Sequence, residues 1–228
     1  MIAAEKMEFD GLVRRLGETR PLNAQVRFAA LAIHHNSSPS SIVMVANGPG
    51  RVRAAAAARL VDGPFDAIVS TGFCGGTNPS LRVGDIAVGS EVRTETRNFA
   101  VSVPDGPQPA MTGPIVSQDG VACTAQDKQR LGAAGAIAVE MEAASVAAFA
   151  EQTATPFYCI RVVSDTVEED MPLDFNRYRT ADGDFDRKAI AFAALRRPFS
   201  RIPALRQLQR NCQIATESLG AFLADCRF

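Results

Sequence analysis

The chain has 228 residues, 46% of them hydrophobic, with 24 Lys and Arg against 25 Asp and Glu and a formal net charge of −1. This suits a single domain with a full core, and charges of both signs interspersed without a dominant basic stripe argue against a nucleic-acid surface. Five scattered cysteines (Cys74, Cys123, Cys159, Cys212 and Cys226) form no metal-ligand spacing, so a reducing cytoplasm is expected, with no metal and no cofactor.

From Met1 to Asp10 there are early acidic residues and no apolar core, so no secretory signal is read there, and no apolar run reaches the length of a membrane span. Apolar runs at Val26 to Ile33 and Ile42 to Ala46 predict strands, followed by a helix from Arg51 to Val61. The turn between them, Asn47-Gly48-Pro49-Gly50-Arg51-Val52-Arg53, is only superficially like a dinucleotide fingerprint. Arg53 stands at the third glycine position and no adequate acidic partner follows. Strands are predicted at Ala67 to Thr71 and Ile86 to Val88. The Pro- and Gly-rich segment Val103 to Pro114 then reads as a surface loop, a connector in preference to a cover over a site. A helix at Ala125 to Leu131, a strand at Ile137 to Val139, a helix at Glu140 to Thr153 and a strand at Phe157 to Val163 complete the alternation of a wound α/β sheet. From about Leu205, residues Leu208, Cys212, Ala215, Leu219 and Phe222 recur at spacings of three and four, marking one face of a last helix. Without repeats or a linker the whole of 1–228 is expected to be one domain, with 197–228 as a C-terminal helical extension.

Two stretches gather ionisable groups at the ends of apparently buried strands, where α/β sites sit: Ala138-Val139-Glu140-Met141-Glu142-Ala143-Ala144, and Ile160-Arg161-Val162-Val163-Ser164-Asp165. An arginine in an unbroken apolar run is expensive to bury unless it meets anions, either in a site or in a structural ion pair with a neighbouring carboxylate. Asp165 suits either acid–base work or a helix N-cap. Glu140 reads as part of the first turn of a helix, where it favours the helix dipole.

Glu-Met-Glu, nineteen positions to Arg161, then Val-Val-Ser-Asp, resembles the purine nucleoside phosphorylase and nucleosidase superfamily. A second block, Ile68-Val69-Ser70-Thr71-Gly72-Phe73-Cys74-Gly75-Gly76 and then Pro79 to Val88 with its Val83-Gly84-Asp85-Ile86, is similar to that superfamily's glycine-rich segment and following strand. Within it the chain looks closest to methylthioadenosine/S-adenosylhomocysteine nucleosidases and to hopanoid-biosynthesis-associated phosphorylase-like proteins, the tail favouring the latter. The resemblance implies a single-domain wound α/β/α sandwich with a mixed central sheet, a homodimer, and cleavage of a purine nucleoside at its N-ribosidic bond.

By the same resemblance Asp165 protonates the purine at N7, held by Ser164, and Glu142 accepts the ribose hydroxyls while Met141 packs on the sugar. Glu8 activates water, with Glu5 as the alternative, and Arg161 helps hold the nucleophile. Cys74 and Gly75 line the base and ribose with their backbone, and Glu140 lies beside Glu142 and Met141. The superfamily's phosphorylases place an arginine and a serine around the glycine-rich turn. Here the corresponding positions are Ser70 and Phe73, and a phenylalanine offers a phosphate oxygen no side-chain donor. Phe73 also stands where many methylthioadenosine nucleosidases have serine. The expectation is therefore a hydrolase acting on an adenine-type nucleoside with a bulky or apolar 5′ substituent. A phosphorylase, including one acting on adenosylhopane, and a non-catalytic nucleoside-binding protein are the alternatives. Arg196, Arg197, Arg201, Arg206 and Arg210 around Phe199, Ile202 and Leu205 raise a peripheral contact with an anionic membrane, against the plainer reading of a solvated helix face.

Overall fold

The computed structural model describes residues 1–22, 25–34, 40–60, 63–106, 109–180 and 182–228. Strand β1 (Ile2–Ala3) leads into α1 (Met7–Leu16), followed by β2 (Thr19–Pro21), β3 (Phe28–His34), β4 (Ser40–Ala46) and α2 (Arg51–Arg59). Next come β5 (Ile68–Gly76), β6 (Ile86–Arg93), β7 (Asn98–Ala100), β8 (Met111–Ser117), α3 (Ala125–Ala133), β9 (Ala138–Glu140), α4 (Ala143–Gln152) and β10 (Phe157–Asp165). A 3₁₀ turn (Phe175–Tyr178), α5 (Arg187–Leu195) and α6 (Pro198–Asp225) follow.

The sheet is mixed, ordered β10-β6-β8-β9-β5-β1-β4-β3-β2, with β7 beside β6. Because β10 also pairs with β5, the strands β5, β10, β6, β8 and β9 close into a ring. Both faces of the sheet are covered, which is why β5 and β10 read as nearly continuous apolar runs and not as alternating ones. On one face α2 and α4 bury alanines (Ala54, Ala57, Ala58, Ala143, Ala147, Ala150) that allow close approach to Ile68, Phe157 and Cys159. On the other, Phe9, Leu12 and Leu16 of α1 and Ala215, Leu219, Phe222 and Leu223 of α6 pack on Val69, Ile160 and Val162. Each fully buried Leu or Phe here contributes about 1.5–3 kcal/mol. These layers make the expected α/β/α sandwich.

Helices α1 and α6 touch backbone to backbone. A β-carbon at Gly11 would fall 2.1 Å from the Thr216 carbonyl oxygen, and one at Gly220 would fall 2.1 Å from the Gly11 carbonyl carbon. The last helix therefore packs on the first.

Four sequence expectations are corrected. Glu140 ends a strand: it pairs with Ser117 of β8, and α4 begins only at Ala143, with Glu142 as N-cap. The supposed connector Val103 to Pro114 runs into a ladder strand, because Met111 to Pro114 already pair with β6. Helix α6 starts at Pro198, a good first-turn residue, and continues through Pro203 instead of starting near Leu205. The helix expected from Arg51 to Val61 is assigned to Arg59, and Val61 lies outside the described residues. Among the described residues no helix is long and apolar enough to cross a membrane.

Candidate active site

Parallel pairing of β1 with β4 and β5 brings the start of α1 over the carboxyl end of β5. Glu8, in the first turn of α1, is buried there. Its Oε2 accepts the Glu5 N–H at 2.7 Å and its Oε1 accepts the Phe73 N–H at 2.7 Å. Gly72 makes this approach feasible: its φ is +133°, and a β-carbon there would lie 2.4 Å from Glu8 Oε1 and 3.0 Å from an Arg161 guanidinium nitrogen. Burial raises the Glu8 pKa, against the two N–H donors and Arg161, which lower it.

Arg161 stands opposite Gly72 in the β5–β10 register and is 1% exposed. Its guanidinium donates to Ser70 Oγ at 2.7 Å and forms a buried ion pair with Glu140. Burial pulls the Arg161 pKa down, but Glu140 and the further anions Glu142 and Glu8 outweigh it and push the pKa up. Glu140 in turn accepts the N–H groups of Glu142 at 2.9 Å and Ala143 at 2.8 Å, closing the start of α4. So the structural ion pair foreseen for Arg161 is present, and its partner is Glu140.

Glu142 reaches the opposite way. Its Oε1 accepts the Gly50 N–H at 2.7 Å where α2 begins, and Oε2 accepts the Met141 N–H at 3.3 Å. Burial, and then repulsion from Glu140, raise its pKa to about 7 in spite of Arg161 and the Gly50 N–H. The Met141 methyl would be 3.9 Å from a β-carbon at Gly50, which places this side chain beside the same turn.

At the end of β10 the register shifts, and Asp165 comes opposite Gly75. Ser164 Oγ lies 2.8 Å from Asp165 Oδ1 and 3.2 Å from the Cys74 carbonyl oxygen. Asp165 Oδ2 faces a cation absent from the sequence-based candidates, the Lys128 ammonium at 2.7 Å. The Lys128 side chain is wholly buried. Burial raises the Asp165 pKa, while Lys128 and Ser164 lower it. No local signal marks Lys128: in Ala-Gln-Asp-Lys-Gln-Arg it reads as one more solvated charge, and only packing of α3 against β9 and Gly75 encloses it. Asp165 caps no helix, which removes its N-cap reading. Cys74 is a small buried thiol whose pKa burial pushes well up, unsuited to a nucleophile.

A cavity of about 800 Å³ abuts this cluster, with Ser164, Met171, Phe175, Phe185, Leu208 and Cys212 among its walls. Cys212 ties it to the carboxylates: burial first, then the fields of Glu8 and Asp165, push its thiol up to about 11. A second cavity of about 820 Å³ lies over Gly50, and Thr180 and Asp182 line both. The expected residues are thus buried at three glycine positions, with Glu8 and Arg161 at Gly72, Asp165 at Gly75, and Glu142 at Gly50. Among the described residues no group of His, Cys, Asp and Glu is placed to hold a metal ion.

The family model described as the Phosphorylase superfamily matches residues 8–119 and 103–195. A 5′-methylthioadenosine/S-adenosylhomocysteine nucleosidase of Pseudoalteromonas translucida is 29% identical over 171 residues, which are 61% of this chain and 73% of that protein. Among solved structures, a Helicobacter pylori futalosine hydrolase mutant superposes with a TM-score of 0.69 at 14% identity, covering 97% of this chain and 94% of that one. The H. pylori 5′-methylthioadenosine/S-adenosylhomocysteine nucleosidase, solved in complex with a substituted pyrrolidinol, does so at 0.69 and 16% identity with the same coverage. At these identities the superpositions show the shared fold.

Proposed function

The chain belongs to the phosphorylase superfamily, and from that footing we propose that it hydrolyses the N-glycosidic bond of an adenine-type purine nucleoside carrying a 5′ substituent. The observation that carries water over phosphate is the Glu8 carboxylate on the Phe73 N–H at 2.7 Å. That backbone donor is the one a phosphate oxygen would seek at the glycine-rich turn, and a buried anion already holds it. The relative named as a nucleosidase supports the same reading.

In this mechanism Glu8 takes a proton from water as the oxygen attacks C1′. Glu142 accepts the ribose hydroxyls, and its negative charge steadies the cationic sugar while Met141 packs beside it. The C1′–N9 electron pair leaves with the base, and Asp165 delivers the compensating proton to N7, so the purine departs neutral. Asp165, 2.7 Å from the Lys128 ammonium, takes up a proton from solvent again before the next turnover. Arg161 and Glu140 fix the floor on which Glu8 and Glu142 stand. The working state is a cytoplasmic homodimer, a reading supported on the compartment side by five cysteines that are all free thiols.

The test is release of free base from methylthioadenosine, S-adenosylhomocysteine, adenosine and adenosylhopane, each with and without inorganic phosphate. Phosphate-independent adenine release with a free reducing sugar is expected. A phosphate requirement with a sugar 1-phosphate product would make the protein a phosphorylase, and tight binding of adenine without any release would make it a binding protein.

A further inference from the structure

We propose that the corner between α5 and α6 is a docking surface for an anionic lipid bilayer. Three large apolar side chains protrude there: Phe199 is 97% exposed, Leu195 64% and Phe192 61%. Such a group is unusual on a surface facing only water. Around them the charge is of one sign. Residues 187–210 carry seven Lys and Arg and no Asp or Glu, in a chain whose net charge is −1. Among the described residues, Arg196, Arg197, Arg201, Arg206 and Arg210 have no carboxylate within ion-pair distance. Arg187 does have one, Glu5 at 3.5 Å, and so lies outside the unpaired set.

The positions of these groups suit an interface more than a solvated helix face. The Arg196 guanidinium rests over the Phe192 ring at 5.2 Å, and Arg201 donates to the Ala193 carbonyl at 2.7 Å, so cations flank the apolar residues instead of standing on an opposite face. Aromatic and leucine side chains at the level of the acyl boundary, with arginines at the level of the headgroups, is the arrangement by which peripheral helices hold anionic bilayers. The acidic residues nearest in sequence already have partners: Asp184 pairs with Arg27 and Arg53, and Asp186 caps α5 through the Ala189 N–H. A nucleic acid would use the arginines but leave three apolar side chains without a partner, which favours the lipid.

The experiment is co-sedimentation of the full chain with vesicles of phosphatidylcholine alone and of phosphatidylcholine with phosphatidylglycerol. Binding to the anionic vesicles only, weakened by high salt, is expected. Phe199→Asp, and separately the Arg196→Glu/Arg197→Glu pair, should each reduce it by about tenfold or more while leaving thermal melting unchanged, since all three side chains are exposed. No binding to anionic vesicles at low ionic strength would overturn the proposal. So would retention of full binding by both variants, preferential binding to duplex DNA, or protein self-association abolished by Phe199→Asp. None of these results bears on base release, so the proposal and the nucleosidase reading stand or fall separately.

Discussion

The Lys128 ammonium lies 2.7 Å from Asp165 Oδ2 with both side chains sealed from solvent. In the proposed mechanism Asp165 must hold a proton until the base leaves; burial raises its pKa and Lys128 lowers it. Lys128→Met removes the largest influence that lowers the Asp165 pKa, so Asp165 should hold its proton to higher pH and the alkaline limb of the pH–rate profile should move upward in pH. A profile of unchanged shape, lowered uniformly, would leave Lys128 a purely structural role. Asp165→Asn should lose about 10²–10⁴-fold at every pH.

Glu142 has a pKa raised to about 7 by burial and by Glu140. In the proposed mechanism its carboxylate form is the useful one, so kcat should climb with pH through a midpoint near that value, and Glu142→Gln should abolish this limb. Stability runs the other way. Below the unfolded pKa of 4.5 the group is protonated in both states; above it the unfolded chain ionises first, so folding loses stability until the pH passes about 7. The loss amounts to about 3 kcal/mol. Calorimetry should find Glu142→Gln melting above the parent at pH 8 and close to it at pH 4.

Gly72→Ala places a methyl where Glu8 Oε1 would be 2.4 Å away, at a φ of +133° that L-residues avoid. About 2–4 kcal/mol of destabilisation is expected, in part from backbone strain and in part from eviction of Glu8. Urea unfolding measures the first. The second appears as a loss of base release larger than that of a control Gly17→Ala, whose φ is also positive but whose β-carbon meets nothing within 4 Å.

Arg161→Met leaves Glu140 as an uncompensated buried anion and should cost about 3–5 kcal/mol. Adding Glu140→Gln should return much of that, because the neutral pair no longer carries a stranded charge. A double-mutant cycle by urea unfolding tests this, and additive losses would contradict the pairing.

Much of the architecture was legible because two of its strands, Phe157 to Val163 and the run before Gly72, are buried on both faces and read as apolar runs, and because glycines mark the turn where backbone approaches Glu8. The end of β9 was not legible: Val-Glu-Met-Glu-Ala-Ala has no punctuation between strand and helix, and the boundary is set by a long-range pairing, Glu140 with Ser117. Helix α1 escaped for a different reason. Its apolar residues Phe9, Leu12 and Leu16 are few, and their partners lie in α6. Lys128 is the clearest case, since a lysine on a polar helix looks the same in sequence whether its neighbours are water or an aspartate more than thirty residues away.

The contact between Gly11 and Gly220 ties the order of synthesis to the order of assembly. The helix that carries Glu8 leaves the ribosome first, yet part of the surface it packs against, α6, is made last. A nascent chain stalled before that helix would lack the Ala215, Leu219 and Leu223 side of the core around Phe9 and Leu12.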